Sequence, residues 1–304
     1  MKIDINSLEK CPGTLKEGFN SYRPSVLRHM FDGKSVSHIL DYAPPVNEKT
    51  AEPFIENRKR ISISGVQEKV SMILDKNKLR LTKKGEQGTY ILKPIPRDLK
   101  KLDEVPANEH LTMQIAEQIF KINTAKNVLI FFNDGTPAYL TRRFDVRKDG
   151  SKWGKEDFAS LAGKTSETNG DAFKYDSSYQ EIGELIKKYV SAYIIELERF
   201  FQVVVFNFAF SNGDAHLKNF SLIETQDSDY VLSPFYDLIN THIHVPDTSL
   251  ALTGGLFEKE WRSTKYIQSG EPIGKDFITL AEQLGISTKR AKRYLEDTIN
   301  ANNA

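Results

Sequence analysis

The spacing of apolar residues changes character part-way along the chain. Between residues 70 and 93 they come in short, β-rich runs broken by turn residues. Residues 70–74 and 79–82 flank a turn at 75–78, and 89–93 follows the two glycines of 83–88. This predicts a hairpin and a returning strand. Pro94 and Pro96 end that strand, because proline cannot donate to a ladder. Residues 106–120 switch to helical spacing, with Leu111, Ile115, Ile119 and Met113, Ala116, Phe120 recurring three or four apart. Residues 128–132 and 138–141 flank a turn at 133–137 and predict another hairpin. Further on, helical periodicity dominates at 181–189 and 196–210. The second run is apolar nearly all round, which predicts burial. A polar loop at 211–219 follows, then a short hairpin formed by 220–224 and 230–233. From Pro272 onward the pattern is helical, and 288–299 is basic and amphipathic. Residues 1–60 are punctuated by Pro12, Gly13, Pro24, Gly33, Pro44, Pro45 and Pro53. They predict an irregular extension with a short helix at 25–31.

Strands gathered early and helices gathered late give an α+β class. The expected organisation is an extension over 1–60 on or near a strand-rich N-lobe (61–144), then a helical C-lobe (145–304). A length of 304 residues allows one large domain or two lobes. With 39% hydrophobic and 27% charged residues the chain is globular rather than disordered. Lys plus Arg number 42 against 41 Asp plus Glu, so the net charge of +1 argues against direct nucleic-acid binding. The single cysteine, Cys11, excludes an internal disulfide and a Cys-rich zinc site, and a reducing cytoplasmic setting is expected. The opening MKIDINSLEK lacks the apolar core of a signal peptide, and no membrane span is expected.

Candidate chemistry concentrates in Asn212-Gly-Asp-Ala-His-Leu-Lys-Asn219 with Asp237 downstream. Phosphoryl transfer from a nucleotide needs a carboxylate to take the acceptor's proton, oxygen ligands for Mg²⁺ and a cation for the phosphates. Asp214 and Asn219 have the D-x-x-x-x-N spacing of a kinase catalytic loop. The loop leaves a helix expected to be buried, and the hairpin after it should bring Asp237 back beside Asn219. Lys93 closes a predicted strand, and Glu109 lies in the first turn of the next helix, where it can pair with that ammonium. Ile61-Ser-Ile-Ser-Gly-Val-Gln-Glu-Lys69 stands where a glycine-rich phosphate loop would, but it has only Gly65 in place of three glycines. His216 inside the loop is expected to be a structural hydrogen-bonder. His242 and His244 form an H-x-H that needs a further ligand to hold a metal. Residues 164–178, polar and Gly-containing, predict a mobile loop near the site.

These motifs, together with Tyr90-Ile-Leu-Lys-Pro94, Asn108-Glu-His110, Arg143-Phe-Asp145 and Pro234-Phe-Tyr-Asp237, resemble the HipA family of bacterial toxin kinases, over about residues 60–300. The chain looks closest to the short HipT branch. The resemblance implies a two-lobed protein-kinase-like fold and an ATP- and Mg²⁺-dependent serine/threonine kinase. Asp214 would be the catalytic base, and Asn219 and Asp237 the Mg²⁺ ligands. Lys93, Glu109, Ser62, Ser64, Gly65, Gln67, Lys69, Arg142, Phe144, His216 and Lys218 would serve the nucleotide. Arg142 stands where HipA itself is expected to have an acidic residue. Ser62 and Ser64 match serines that the family autophosphorylates. The family's substrates are aminoacyl-tRNA synthetases, so translation arrest is implied. A HipB-like DNA-binding antitoxin and a HipS-like small protein are the implied partners. A small-molecule phosphotransferase with a related Gly-Asp-x-His-x-x-Asn loop is the alternative, as is a binding module that has lost the chemistry.

Overall fold

The computed structural model describes residues 4–45, 68–96 and 101–302. The chain divides into two compact units. The first comprises Met1–Gln114, Ala125–Gly150 and Ile243–Val245; the second comprises Ile115–Thr124, Ser151–His242 and Pro246–Ala304.

In the first unit, β1 (Val70–Asp75), β2 (Lys78–Leu81), β3 (Tyr90–Lys93), β4 (Asn127–Phe131) and β5 (Pro137–Arg142) form one antiparallel sheet, in the order β2-β1-β3-β5-β4. The hairpins fall where the turn residues put them. Side chains alternate across a strand, so Tyr90 and Leu92 share one face of β3 and Lys93 takes the other. Tyr90 and Leu92 join a core with Met72, Val128, Ile130 and Leu140. The early segment, patterned too weakly to be placed from sequence, completes this core with Cys11, Tyr22, Met30, Phe31 and Leu40. Its helix α1 (Pro24–Phe31) starts on a proline, which is pre-set for a first helical turn, and stops at Asp32 in the left-handed region (φ 52°). Two phenols fasten the segment to the sheet unit: Tyr22 donates to the Leu129 carbonyl at 2.7 Å, and Tyr90 donates to the Met30 carbonyl at 2.8 Å. Helix α2 (Val105–Gln118) matches the helical spacing read from sequence.

The second unit is mainly helical. Among its described elements are α3 (Phe158–Leu161), α4 (Ser166–Asn169), α5 (Tyr179–Tyr189), α6 (Tyr193–Ala209), α7 (Thr264–Ser269), α8 (Gly274–Leu284) and α9 (Thr288–Asn302). A three-stranded sheet of β6 (Lys155–Asp157), β7 (Ser221–Glu224) and β8 (Tyr230–Leu232) completes it. The expected burial of α6 holds: Leu197, Phe200, Phe201, Val203, Val204, Val205 and Phe206 are all in the core. α5 begins with a capping box in which Ser178 and Glu181 satisfy each other's backbone N–H groups. β6 lies in a polar stretch with no strand pattern, and it forms because Lys155, Glu156 and Asp157 add to the edge of β7. The segment expected to be a mobile loop is ordered instead. Thr165 and Thr168 cap α4 reciprocally, and the Asp176 carboxylate takes Lys164 at 3.1 Å and Asn169 at 3.1 Å. Among the described residues no helix is long and apolar enough to cross a membrane.

Candidate functional site

The loop after α6 is set by how that helix ends. Ser211 adopts a left-handed φ of 50°. The Ser211 N–H donates to the Phe208 carbonyl at 3.1 Å and the Asn212 N–H to the Asn207 carbonyl at 2.8 Å. These two bonds make a Schellman turn. Its serine accepts a conformation usually left to glycine, and the chain is thrown sharply off the helix. Three further ties hold the loop. Asn212 Nδ2 reaches Asn207 Oδ1 at 3.0 Å. Thr241 Oγ1 accepts from the Gly213 N–H at 2.8 Å and donates to the Ser211 carbonyl at 3.0 Å. Gly213 has no room for a side chain: a Cβ there would lie 2.3 Å from the Thr248 carbonyl oxygen.

Past that point Asp214 faces outward and the next three residues turn inward. Ala215 and Leu217 are buried, and the Asp214 side chain is 53% exposed. Tyr179 on α5 donates to the Ala215 carbonyl at 3.1 Å and fixes the height of the loop. The His216 ring is buried against Tyr175, edge to face at 5.2 Å between centroids. Burial pushes its pKa down to about 4, outweighing the nearby Asp214 charge that favours the imidazolium. His216 is therefore neutral at pH 7. At 3.8 Å its Nε2 lies beyond hydrogen-bond reach of Asp214 Oδ1, and its Nδ1 has no partner among the described residues. The neighbour that does bind Asp214 is Tyr175, whose hydroxyl donates to Oδ1 at 2.6 Å. Lys218 is 4.0 Å from Asp157 and 5.8 Å from the Phe173 ring centroid.

The hairpin β7–β8 returns the chain as its turn residues require. Each residue of Phe235-Tyr-Asp237 then does something different. Phe235 is buried, and its N–H donates to the Asn123 carbonyl at 2.9 Å. The Tyr236 hydroxyl donates to the Lys218 carbonyl at 2.8 Å and takes the Ser221 hydroxyl at 2.6 Å. Asp237 sits in the left-handed region, φ 57°, which an aspartate tolerates better than a bulky residue. Its Oδ2 accepts from Asn219 Nδ2 at 3.3 Å, while Asn219 Oδ1 takes the His216 N–H at 3.2 Å. The expected meeting of Asn219 and Asp237 is thus present. A carboxylate and an amide are hard donors that suit Mg²⁺ far better than Zn²⁺. The amide nitrogen now faces Asp237, so a cation there needs the Asn219 oxygen in its place.

In the first unit, Lys93 and Glu109 meet as expected, Nζ to Oε1 at 2.6 Å, with side chains only 3% and 2% exposed. Strand alternation aims Lys93 away from the Leu92 face, and Glu109 lies one turn into α2. The Tyr139 ring, opposite Lys93 in register, has its centroid 5.2 Å from the ammonium. Arg142 closes β5, and its guanidinium grips Asp32 through two bonds of 2.9 Å and also reaches the His29 carbonyl at 3.2 Å. That side chain is committed to the end of α1. Phe144 is half-buried, and the flanking Arg143 and Asp145 pair through bonds of 3.0 and 2.6 Å. Lys69 is half-buried just ahead of β1. Ser62, Ser64, Gly65 and Gln67 lie outside the described residues. His242 and His244 diverge: the first meets Asp247 at 3.3 Å and the second meets Asn108 at 2.8 Å. Tyr175 and Thr241 were not singled out from sequence. Their partners are 39 and 28 positions away, and no local spacing marks them.

A curated protein of Haemophilus influenzae, named "Putative kinase", is 26% identical over 284 residues, covering 89% of this chain and 80% of its own length. A second, "Putative kinase Y4mE" of Sinorhizobium fredii, is 25% identical over 280 residues, covering 89% of this chain and 61% of its own length. Among solved structures, a chain of the Shewanella oneidensis toxin–antitoxin complex of HipA, HipB and operator DNA superposes with a TM-score of 0.60 at 20% identity. That match covers 78% of this chain and 55% of the other. The fold is accordingly the α+β, kinase-like fold of that neighbour. The profile of the HipA-like C-terminal domain matches residues 61–304, and the chain belongs to that family.

Proposed function

We propose that this protein is an ATP- and Mg²⁺-dependent serine/threonine protein kinase of the HipA toxin type, with HipT as the nearest branch. The observation that carries the reading is the fixed loop of the second unit. It presents a half-exposed carboxylate, Asp214, five residues before an amide, Asn219, that a hairpin closes onto a second carboxylate, Asp237. Asp214 would accept the proton of the acceptor hydroxyl as its oxygen bonds to the γ-phosphorus and the bond to the β-phosphate oxygen breaks, releasing ADP. Asn219 and Asp237 would hold Mg²⁺, which when bound offsets charge on the phosphates. Lys93, aligned by Glu109, would contact the phosphates. Arg142 would act through the backbone it anchors rather than through its guanidinium, which Asp32 occupies.

The remaining expectations follow from family membership. Ser62 and Ser64 would be the autophosphorylated serines, each gaining about −1.5 to −2 charge on modification and opposing ATP in the phosphate loop. An aminoacyl-tRNA synthetase would be the substrate. A HipB-like antitoxin and a HipS-like small protein would be the partners, in the cytoplasm. Residues 61–144 and 145–304 would act as N- and C-lobes. Mass spectrometry of the protein, alone and with ATP and a lysate, tests these together: phosphate is expected on Ser62 or Ser64 and on one dominant target. Asp237→Asn keeps the left-handed preference and removes only the ligand charge. It is expected to abolish both signals with the fold intact. Undiminished labelling by Asp237→Asn or Asp214→Asn would contradict the assignment.

A further inference from the structure

We infer that Tyr175 is a positioning residue for Asp214, an inference that rests on the kinase reading above. A catalytic carboxylate on a half-exposed loop has two rotatable bonds, and without a partner it samples several orientations. The first neighbour to consider for holding it is His216, two residues on, which is expected from sequence to be a structural hydrogen-bonder. Here that histidine is buried and out of hydrogen-bond reach at 3.8 Å. Tyr175 takes the role, its hydroxyl 2.6 Å from Asp214 Oδ1.

The tyrosine is itself fixed. Its carbonyl accepts from the Thr253 N–H at 2.9 Å and the Thr253 hydroxyl at 3.1 Å, and its ring packs edge-on against His216. Lys174 stands 4.8 Å over the ring, and the Lys164–Asp176 pair closes the segment behind it. Such anchoring distinguishes a support from a plug that must swing away. A carboxylate has about four lone-pair sites. One bond to Oδ1 therefore leaves Oδ2 for the acceptor hydroxyl, and the 53% exposure of Asp214 keeps it reachable. Burial, and then the bond to Asp214, hold the phenol's pKa well above its ordinary value. The group thus remains a donor throughout the working pH range, and it gives direction to the base without competing for the proton.

The test is steady-state kinetics on the full chain with labelled ATP, for wild type, Tyr175→Phe and a chain carrying 3-fluorotyrosine at 175. Phenylalanine keeps the ring against His216 and loses only the hydroxyl, so folding is expected to survive. Removing a hydrogen bond to a charged group should lower kcat roughly tenfold with KM for ATP unchanged. Fluorotyrosine, a stronger donor of nearly the same shape, should retain turnover but shift kcat measurably from wild type, which a purely structural role would not do. Wild-type kcat in Tyr175→Phe, or a rise in kcat as expected for a plug, would overturn the inference while Asp214→Asn remains inactive. An active Asp214→Asn would overturn the kinase reading and this inference together.

Discussion

The two units hold their candidate residues by opposite means. In the first, Lys93 and Glu109 are buried almost completely on a strand and a helix, and each offsets the charge of the other. In the second, Asp214 is half exposed on a loop, and backbone devices around it supply the precision: a left-handed serine, a glycine without room for a side chain, and a threonine bonded on both sides. Position in the first unit is therefore coupled to stability. In the second it is largely uncoupled, because an exposed carboxylate costs little to keep or remove. The loop of the second unit can therefore change its chemistry without risking the fold, whereas the ion pair of the first cannot be changed one charge at a time.

The sharpest break of that comparison is in the first unit. Glu109→Leu takes from a buried ammonium the carboxylate that pairs with it at 2.6 Å and should cost about 3–5 kcal/mol of stability. Combining it with Lys93→Met removes both charges, and hydrophobic replacement of a buried pair is about neutral or stabilising. The double variant should therefore regain the stability of the wild type and remain unable to label. Urea unfolding of the two variants decides the matter. A double variant as unstable as Glu109→Leu would show that the pair itself supports the fold. Asp214→Asn in the second unit should change stability by about 1 kcal/mol or less in the same assay.

A second contrast is available through pH. His110, next to Glu109 on α2, is fully buried, and its Nδ1 shares a 2.8 Å bond with Asn127. Burial pushes its pKa down to about 4, against 6.5 for an exposed imidazole. The folded state thus binds fewer protons than the unfolded state between those values, so stability rises with pH across that window. The contribution is complete above about pH 6.5 and is lost on acidification toward 4, with a slope near 1.4 kcal/mol per pH unit. His110→Gln, which cannot titrate, should flatten the unfolding profile between pH 4 and 6.5 by that slope. An unchanged profile would mean that the ring is already protonated in the fold.

What sequence reveals and conceals divides along the same line. The strands other than β6, and α2, α5 and α6, were legible because apolar spacing reports burial directly. The meeting of Lys93 with Glu109 followed from strand and helix geometry, and that of Asn219 with Asp237 from the length of one hairpin. Hidden were the contacts made at long range by polar or weakly patterned residues. Cys11, Phe31 and Leu40 complete the sheet's core from a segment broken by prolines, which no periodicity could announce. Arg142 grips Asp32, 110 residues earlier, so a residue expected to serve the nucleotide has a structural partner. The polar composition of the 164–178 stretch predicts mobility. Its order comes from caps and ion pairs, which composition does not encode.

The smallest expected effect tests whether backbone devices really replace burial in the second unit. Thr241 Oγ1 satisfies the Gly213 N–H and the Ser211 carbonyl at once, and Thr241 is itself 8% exposed. Thr241→Val keeps the shape and deletes the hydroxyl, leaving a part-buried amide without its acceptor, at a cost of about 1 kcal/mol. Thr241→Ser retains the hydroxyl and should behave as wild type. If the hydroxyl acts by holding Asp214 in place, Thr241→Val must lose more in kcat than its stability loss would suggest, since a shift of the loop by a fraction of an ångström misdirects the base. The same stability loss introduced at a remote site of the second unit, such as the α9 surface, should leave kcat untouched. Equal turnover in the valine and serine variants would show that the Schellman turn and Gly213 suffice, with Thr241 contributing only to stability.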